Sequence, residues 1–155
     1  MALVAILVDG GFYQKRARYL WGTKTPEDRA KELNDYCLRH LYEKNIRHDL
    51  YRIFYYDCPP MSKKVYHPLT KRTVDFSKTE MFGWMNSFLE SLKQKRKFAL
   101  RMGQLASEQA YFTIRQTVLR KLCREEISIS DLTENDFEID VKQKGVDMKI
   151  GLDIS

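Results

Sequence analysis

A short apolar segment near the start of the chain constrains the fold more than any other feature. Residues 3–8 read Leu-Val-Ala-Ile-Leu-Val, an unbroken run of mostly branched side chains, and the run ends at Asp9-Gly10-Gly11. Such a run is typical of a parallel strand that is covered on both faces. We therefore predict a central strand over residues 3–8, followed by a turn that carries Asp9.

Helix and strand patterns alternate along the rest of the chain. Apolar spacing predicts helices over residues 12–20, 26–44, 78–95 and 112–124, and a last one that follows Gly145. Further strands are predicted over residues 47–57, 98–103 and 137–141, and residues 58–77 look like a loop. This order predicts an α/β sandwich with a mainly parallel sheet, whose strand carboxyl ends share one edge.

Length and composition predict one globular domain over residues 1–155 that favours anionic partners. The chain has 43% hydrophobic residues and a net charge of +6, a sign that attracts phosphates. The first apolar run lacks the basic leader of a signal peptide and no run is long enough to cross a membrane, so we expect a cytoplasmic protein without a membrane partner. Three widely spaced cysteines indicate neither a disulfide framework nor a zinc site.

Two aspartates that are far apart in sequence occupy equivalent places. Asp9 follows the first apolar strand, and Asp147 lies in the first turn of the last predicted helix, after Gly145. Carboxylates at the carboxyl edge of an open α/β sheet suit Mg²⁺ or Mn²⁺, which prefer oxygen ligands. Each residue alone also fits an ordinary turn or helix start, and it is their joint placement that indicates a metal site.

The predicted loop after Cys58 mixes cations with aromatic side chains. Such a segment can follow a phosphate backbone while its rings stack on bases, although a solvated loop with docked aromatics explains it equally well. The residues that we assign to nucleic-acid binding here are Lys63, Lys64, Tyr66, Lys71 and Arg72.

Three motifs together resemble the NYN domain family, the LabA-like branch of the PIN-like nucleases. They are Val8-Asp9-Gly10-Gly11-Phe12-Tyr13, the strand end Tyr55-Tyr56-Asp57, and Lys144-Gly145-Val146-Asp147 with Asp153. The resemblance implies a Rossmann-like three-layer sandwich and a metal-dependent ribonuclease site with catalytic Asp9, Asp147 and Asp153. Asp9 and Asp147 would bind the metal, and Lys144 would join the RNA-binding residues. The family's later acidic motif is absent before Ser155, and we expect the domain to lack its final strand.

Two main functions follow as hypotheses. The first is an endoribonuclease that hydrolyses single-stranded RNA with Mg²⁺ or Mn²⁺. The alternative is a noncatalytic RNA-binding or regulatory module with an incomplete acidic site, and a mononucleotide site at Gly10-Gly11 is a third reading. Assembly as a homodimer is left open.

Overall fold

The computed structural model describes residues 1–155 and shows a mixed α/β fold. The helices are α1 (Gly10–Trp21), α2 (Pro26–Arg39), α3 (Glu80–Lys93), α4 (Gln116–Cys123) and α5 (Val146–Ile154). The strands are β1 (Leu3–Asp9), β2 (Tyr42–Glu43), β3 (Ile46–Arg47), β4 (Asp49–Asp57), β5 (Lys64–His67), β6 (Arg72–Asp75), β7 (Phe98–Met102), β8 (Gln104–Leu105), β9 (Tyr111–Ile114), β10 (Phe137–Asp140) and β11 (Gln143–Lys144). None of these helices combines the length and the apolar character that a membrane crossing requires.

Three parallel strands form the main sheet, in the order β1-β4-β7. Asp9 of β1 is in register with Tyr56 of β4, which is in register with Arg101 of β7. The predicted parallel sheet is therefore present, but the prediction that residues 3–8 form its central strand is wrong. The central place belongs to β4, whose residues Ile53 to Asp57 are almost all buried because this strand has a strand on each side and a core on each face.

Alternate side chains of the sheet pack against different helices. Ile53 and Tyr55 of β4 lie in a core with residues of α1, α2 and α3. Tyr56 lies in a smaller core on the opposite face, with Cys58 and with Val146 of α5. This alternation follows from the two-residue period of a strand, and it sends neighbouring residues of β4 to different helices.

The other strands form two-stranded antiparallel units outside the parallel sheet. Residues 58–77, predicted to be a loop, contain the β5–β6 hairpin, in which Val65 and His67 are buried while Lys64 and Tyr66 are exposed. The predicted helix over 112–124 is in fact β9 followed by α4, and β10 pairs with β9 rather than with the main sheet. Strand β9 is short and its partner β10 is distant in sequence, and for such strands tertiary pairing decides the structure. The strands of the β5–β6 hairpin, by contrast, are separated only by residues 68–71.

The second predicted helix ends earlier than expected. Helix α2 ends at Arg39 rather than near residue 44, and a tight hairpin of β2 and β3 follows it. Lys44 and Asn45 at the tip of this hairpin have φ values of 48° and 67°. Two consecutive residues with positive φ are the signature of a type I′ turn, which matches the twist of a hairpin with a two-residue loop. The chain therefore cannot continue as an α-helix to residue 44.

Helix α1 is seated directly on the end of β4 because its first residue has no side chain. A Cβ atom at Gly10 would lie 2.5 Å from Cζ of Tyr55 and 2.6 Å from the backbone oxygen of Tyr56. A contact that short with a backbone atom cannot be relieved by a side-chain rotation. Gly10 therefore sets the distance between the first turn of α1 and the carboxyl end of β4.

We expect Gly10→Ala to lower the free energy of unfolding by about 1–3 kcal/mol, the usual cost of overpacking a filled site. Gly11→Ala is the matched control, because its Cβ would meet only an Asp9 oxygen at 3.7 Å. Alanine is favoured over glycine within helices by roughly 0.5–1 kcal/mol, so this control should be neutral or stabilising. Urea unfolding, monitored by circular dichroism, measures the stability of both variants. Equal stabilities would show that Gly10 does not set the distance between α1 and β4.

Candidate functional site

Two aspartates end neighbouring strands of the parallel sheet. Asp9 is the last residue of β1 and pairs in register with Tyr56, so Asp57, the last residue of β4, lies one position further along the same edge. Asp9 is exposed and its Oδ1 accepts the Phe12 amide at 3.2 Å, which caps α1. Asp57 is only 6% exposed. The carboxyl edge therefore carries one accessible and one buried carboxylate side by side.

Hydrogen bonds hold the buried carboxylate of Asp57 in place. The Tyr55 hydroxyl donates to its Oδ2 at 3.0 Å, and the Cys58 amide donates to its Oδ1 at 2.8 Å. Tyr55 in turn accepts a hydrogen bond from Nε2 of Gln14 in α1 at 3.4 Å. The orientation of Asp57 is thus fixed by its own strand and, through Tyr55, by α1.

The electrostatic surroundings favour the neutral form of Asp57. Burial is the largest effect and raises its pKa, the hydrogen bonds from Cys58 and Tyr55 lower it, and the negative charge of Asp9 raises it again. The net result is a pKa above the ordinary value. No Lys, Arg or His forms an ion pair with this carboxylate. An approaching cation would favour the ionised form.

Asp147 lies at the same edge but on the face of the sheet covered by α5. It is the second residue of α5, is exposed, and follows Gly145, whose φ is 86°. The start of α5 packs on Gly103, where a Cβ would lie 2.5 Å from the Lys144 oxygen and 2.8 Å from Cγ2 of Val146. The Gly103 amide donates to the Asp57 oxygen at 2.8 Å. The start of α5 therefore lies close to the carboxyl ends of β4 and β7, and the predicted joint role of Asp9 and Asp147 stays a prediction.

Asp153 is engaged in contacts that attach α5 to the sheet. Its Oδ2 accepts the Tyr56 hydroxyl at 2.7 Å and Nε of Arg101 at 3.0 Å, and its Oδ1 accepts Nη2 of Arg101 at 3.2 Å. The hydrogen bonds from Tyr56 and Arg101 lower the pKa of Asp153. A carboxylate with these three donors serves the packing of α5 first. Its predicted catalytic role stays a prediction.

The acidic residues do not form a group of three. No cluster of three or more His, Cys, Asp or Glu side chains is arranged to hold a metal ion. The predicted metal ligands Asp9 and Asp147 are a pair, and their role stays a prediction. The pair Asp9 and Asp57 is what the edge offers. Magnesium commonly keeps several waters and binds through one or two carboxylates plus substrate phosphates, so this pair fits such an ion.

The structure brings most of the predicted RNA-binding residues together on one hairpin. Lys63 precedes β5 and forms an ion pair with Glu108 at 2.9 Å. Its charge is therefore already paired within the protein. Lys144 lies apart, exposed on β11, where it pairs with Gln104. The hairpin residues are all exposed: Lys63, Lys64, Tyr66, Lys71 and Arg72.

The sequence analysis did not assign Asp57 to the site. A signal for it was present, because Asp57 ends an apolar strand in the same way that Asp9 ends β1. What the sequence could not reveal is the register that sets these two strand ends side by side and the burial of Asp57. The parallel β1–β4 pairing supplies both.

We expect Asp57 to contribute a loss of stability as the pH rises through its pKa. The ordinary pKa of an Asp is 3.8 and the folded value is higher, so above about pH 3.8 the native Asp57 retains a proton that the unfolded chain has lost. The contribution of Asp57 to the free energy of unfolding then decreases with pH until the native carboxyl also ionises, against the opposite contribution of carboxyls whose pKa is lowered, such as that of Asp153.

Asp57→Asn should remove this decrease and leave the protein at least as stable as the wild type at neutral pH. Asp35→Asn, at an exposed position of α2, should preserve it. Urea unfolding from acid to neutral pH measures the effect. Parallel pH profiles for wild type and Asp57→Asn would contradict the assignment.

We expect Asp153→Asn to loosen α5, because the amide cannot reproduce the charged contact with Arg101 or accept equally well from Tyr56. Hydrogen exchange of the α5 amides should become faster. Asp147→Asn on the same helix is the control, since the Asp147 carboxylate has no hydrogen-bond partner there and should leave exchange nearly unchanged. Equal exchange in both variants would show that Asp153 does not anchor the helix.

Comparisons with known proteins place the chain in no family. No family model, no curated protein and no solved structure matches it. A functional proposal for this edge therefore has to be based on the geometry and charge of the edge itself.

Proposed function

We propose that the protein is a divalent-metal-dependent endoribonuclease that acts on single-stranded RNA, with Asp9 and Asp57 as its carboxylate pair. The observation that carries this proposal is the buried Asp57 carboxylate, held by two donors, beside the exposed Asp9 at the carboxyl edge of a parallel sheet. Ligands of open α/β sheets bind at this edge. Asp147 would contribute from the neighbouring α5, in line with the resemblance to NYN domains.

The residues of the edge have separable roles in this proposal. Asp57 has a fixed orientation and Asp9 faces solvent, so the pair would bind one Mg²⁺ or Mn²⁺ and leave its other positions to water and phosphate oxygens. When bound, such an ion polarises a phosphoryl oxygen and lowers the pKa of a coordinated water. The donors to Asp57 fix the orientation of its carboxyl group, which would be the protein's contribution to the geometry of the site.

The charge of the chain supports an RNA substrate. The net charge is +6, and the exposed cations of the β5–β6 hairpin belong to the segment that directly follows Asp57 and Cys58. A positive field raises the local concentration of a polyanion near the acidic pair. We also infer the Rossmann-like three-layer arrangement, which is supported by the packing of α1, α2 and α3 on one face of the sheet and of α5 on the other.

A noncatalytic RNA-binding module is the second candidate. Two observations favour it: no group of three potential ligands is present, and the Asp153 carboxylate is engaged by Arg101 and Tyr56. In that case the acidic edge would have no catalytic role, and the exposed cations would supply all of the affinity for RNA.

Cleavage of a fluorescent single-stranded RNA in the presence of Mn²⁺ distinguishes the two candidates. We expect Asp9→Asn and Asp57→Asn each to reduce cleavage by at least about 100-fold, since a metal ion contributes several kcal/mol to the transition state. Asp35→Asn, at an exposed acid of α2, should retain the wild-type rate. Asp147→Asn reports whether the acid of α5 takes part.

RNA binding is measured in parallel with and without EDTA. Binding that survives chelation, with no cleavage by the wild type, would replace the nuclease by the binding module. Cleavage that is unaffected by both Asp9→Asn and Asp57→Asn would place the catalytic site elsewhere on the chain.

A further inference from the structure

A cleft of about 620 Å³ opens between α1 and α3 and reaches Asp57. Its α1 side consists of Gly11, Gln14, Lys15 and Arg18, spaced at positions i, i+3, i+4 and i+7, which lie on one face of a helix. Its α3 side consists of Met81, Trp84 and Met85, and Tyr19, one residue beyond Arg18, also lines it. Polar residues thus face apolar ones across the cleft, with the buried carboxylate at one end.

The cations of the cleft have no protein partner. Lys15 and Arg18 are exposed, and none of the chain's ion pairs includes either of them. Two cations farther along this face, Lys24 and Arg29, are instead engaged, since both contact Glu32. Two free cations on one helix face, next to a buried acid, form a surface that suits an anionic ligand.

The rings and thioethers of the cleft are placed for stacking. Tyr19 is 81% exposed and Met81 is 51% exposed, so both present apolar surface to solvent. The Trp84 indole is held rigidly, because it stacks on Phe88 at 5.4 Å and its Nε1 donates to the Lys24 oxygen at 3.0 Å. Aromatic side chains beside unpaired cations are the usual components of a single-strand binding groove.

The shape of the cleft indicates an extended ligand rather than a compact one. From Gly11 to Tyr19 the wall of α1 covers eight helical steps, which is about 12 Å. A second hollow of about 190 Å³ shares Gln14, Arg18, Met81 and Trp84 with the cleft and extends it toward Lys24. A strand lying along this path would bring one of its phosphodiesters to the end where Asp57 lies.

We propose that the α1–α3 cleft binds single-stranded RNA, with Lys15 and Arg18 on consecutive phosphates and Tyr19 stacked on a base, and that it leads the strand to Asp9 and Asp57. This inference rests on the proposed function and specifies its substrate path. It differs from a path over the β5–β6 hairpin, whose cations belong to another element. The two paths are separable by substitution.

Fluorescence anisotropy of a labelled oligouridylate with EDTA present tests the cleft apart from cleavage. We expect the double variant Lys15→Ala, Arg18→Ala to weaken binding on the order of tenfold at physiological salt. The slope of log affinity against log salt should become shallower by about 1.4, since each single-strand phosphate contact contributes about 0.7. Tyr19→Ala should also lose roughly tenfold, and Tyr19→Phe should bind like the wild type, because stacking needs the ring and not the hydroxyl.

The matched control is Arg120→Ala, Lys121→Ala, which removes two exposed cations from α4 and should leave affinity and salt slope close to wild type, apart from a small general loss of charge. If the wild type binds and cleaves RNA while the cleft variant behaves like this control, the cleft inference fails and the proposed function stands. If the wild type neither binds nor cleaves RNA, both fail together. Circular dichroism of each variant confirms that it is folded.

Discussion

Two adjacent tyrosines of β4 connect the acidic edge to both sides of the sheet. The Tyr55 side chain faces α1 and α3, lies beneath Gly10, and donates to Asp57. Tyr56 faces α5 and donates to Asp153. Because neighbouring residues of a strand point to opposite faces, one dipeptide fixes a carboxylate on each side. The position of α1, the orientation of Asp57 and the attachment of α5 all depend on this pair of phenols.

The energetics of Asp57 differ from those of an ordinary structural acid. A buried charge is normally compensated by an opposite one, and Arg29 shows how this chain does so, since the residue is 2% exposed and its Nη1 lies 2.6 Å from Oε1 of Glu32. Asp57 has two neutral donors instead and a second carboxylate nearby, and its pKa is raised. A protein gains no stability from ionising such a group. An arrangement of this kind is the pattern expected where a ligand, rather than the fold, supplies the missing charge.

The sequence predicts local features of this fold well and long-range ones poorly. The position of Asp9 at the end of the first strand, Gly145 before the last helix and the parallel pairing of the main sheet follow from hydrophobic period and turn chemistry. The burial of Asp57 depends on β1 and β7 pairing on either side of β4, and no local pattern encodes that order. The same limit explains why β9, which pairs with β10 more than twenty residues later, looked like the first turn of α4. The contacts of Asp153 were equally beyond the reach of a local pattern, because the tyrosine and arginine that engage it are separated from it by 97 and 52 residues.

The α1–α3 cleft separates opposite charges instead of pairing them. Lys15, Arg18 and Asp57 line the same cleft, yet neither cation forms an ion pair with the acid. A ligand that satisfies both ends must carry negative charge along the α1 wall and bring positive charge to the acidic pair. A polyanion with a bound divalent cation has that charge distribution, while a small neutral or purely cationic ligand would leave Lys15 and Arg18 unpaired. This separation of charge, more than the presence of any single residue, favours a phosphodiester strand as the ligand of this face.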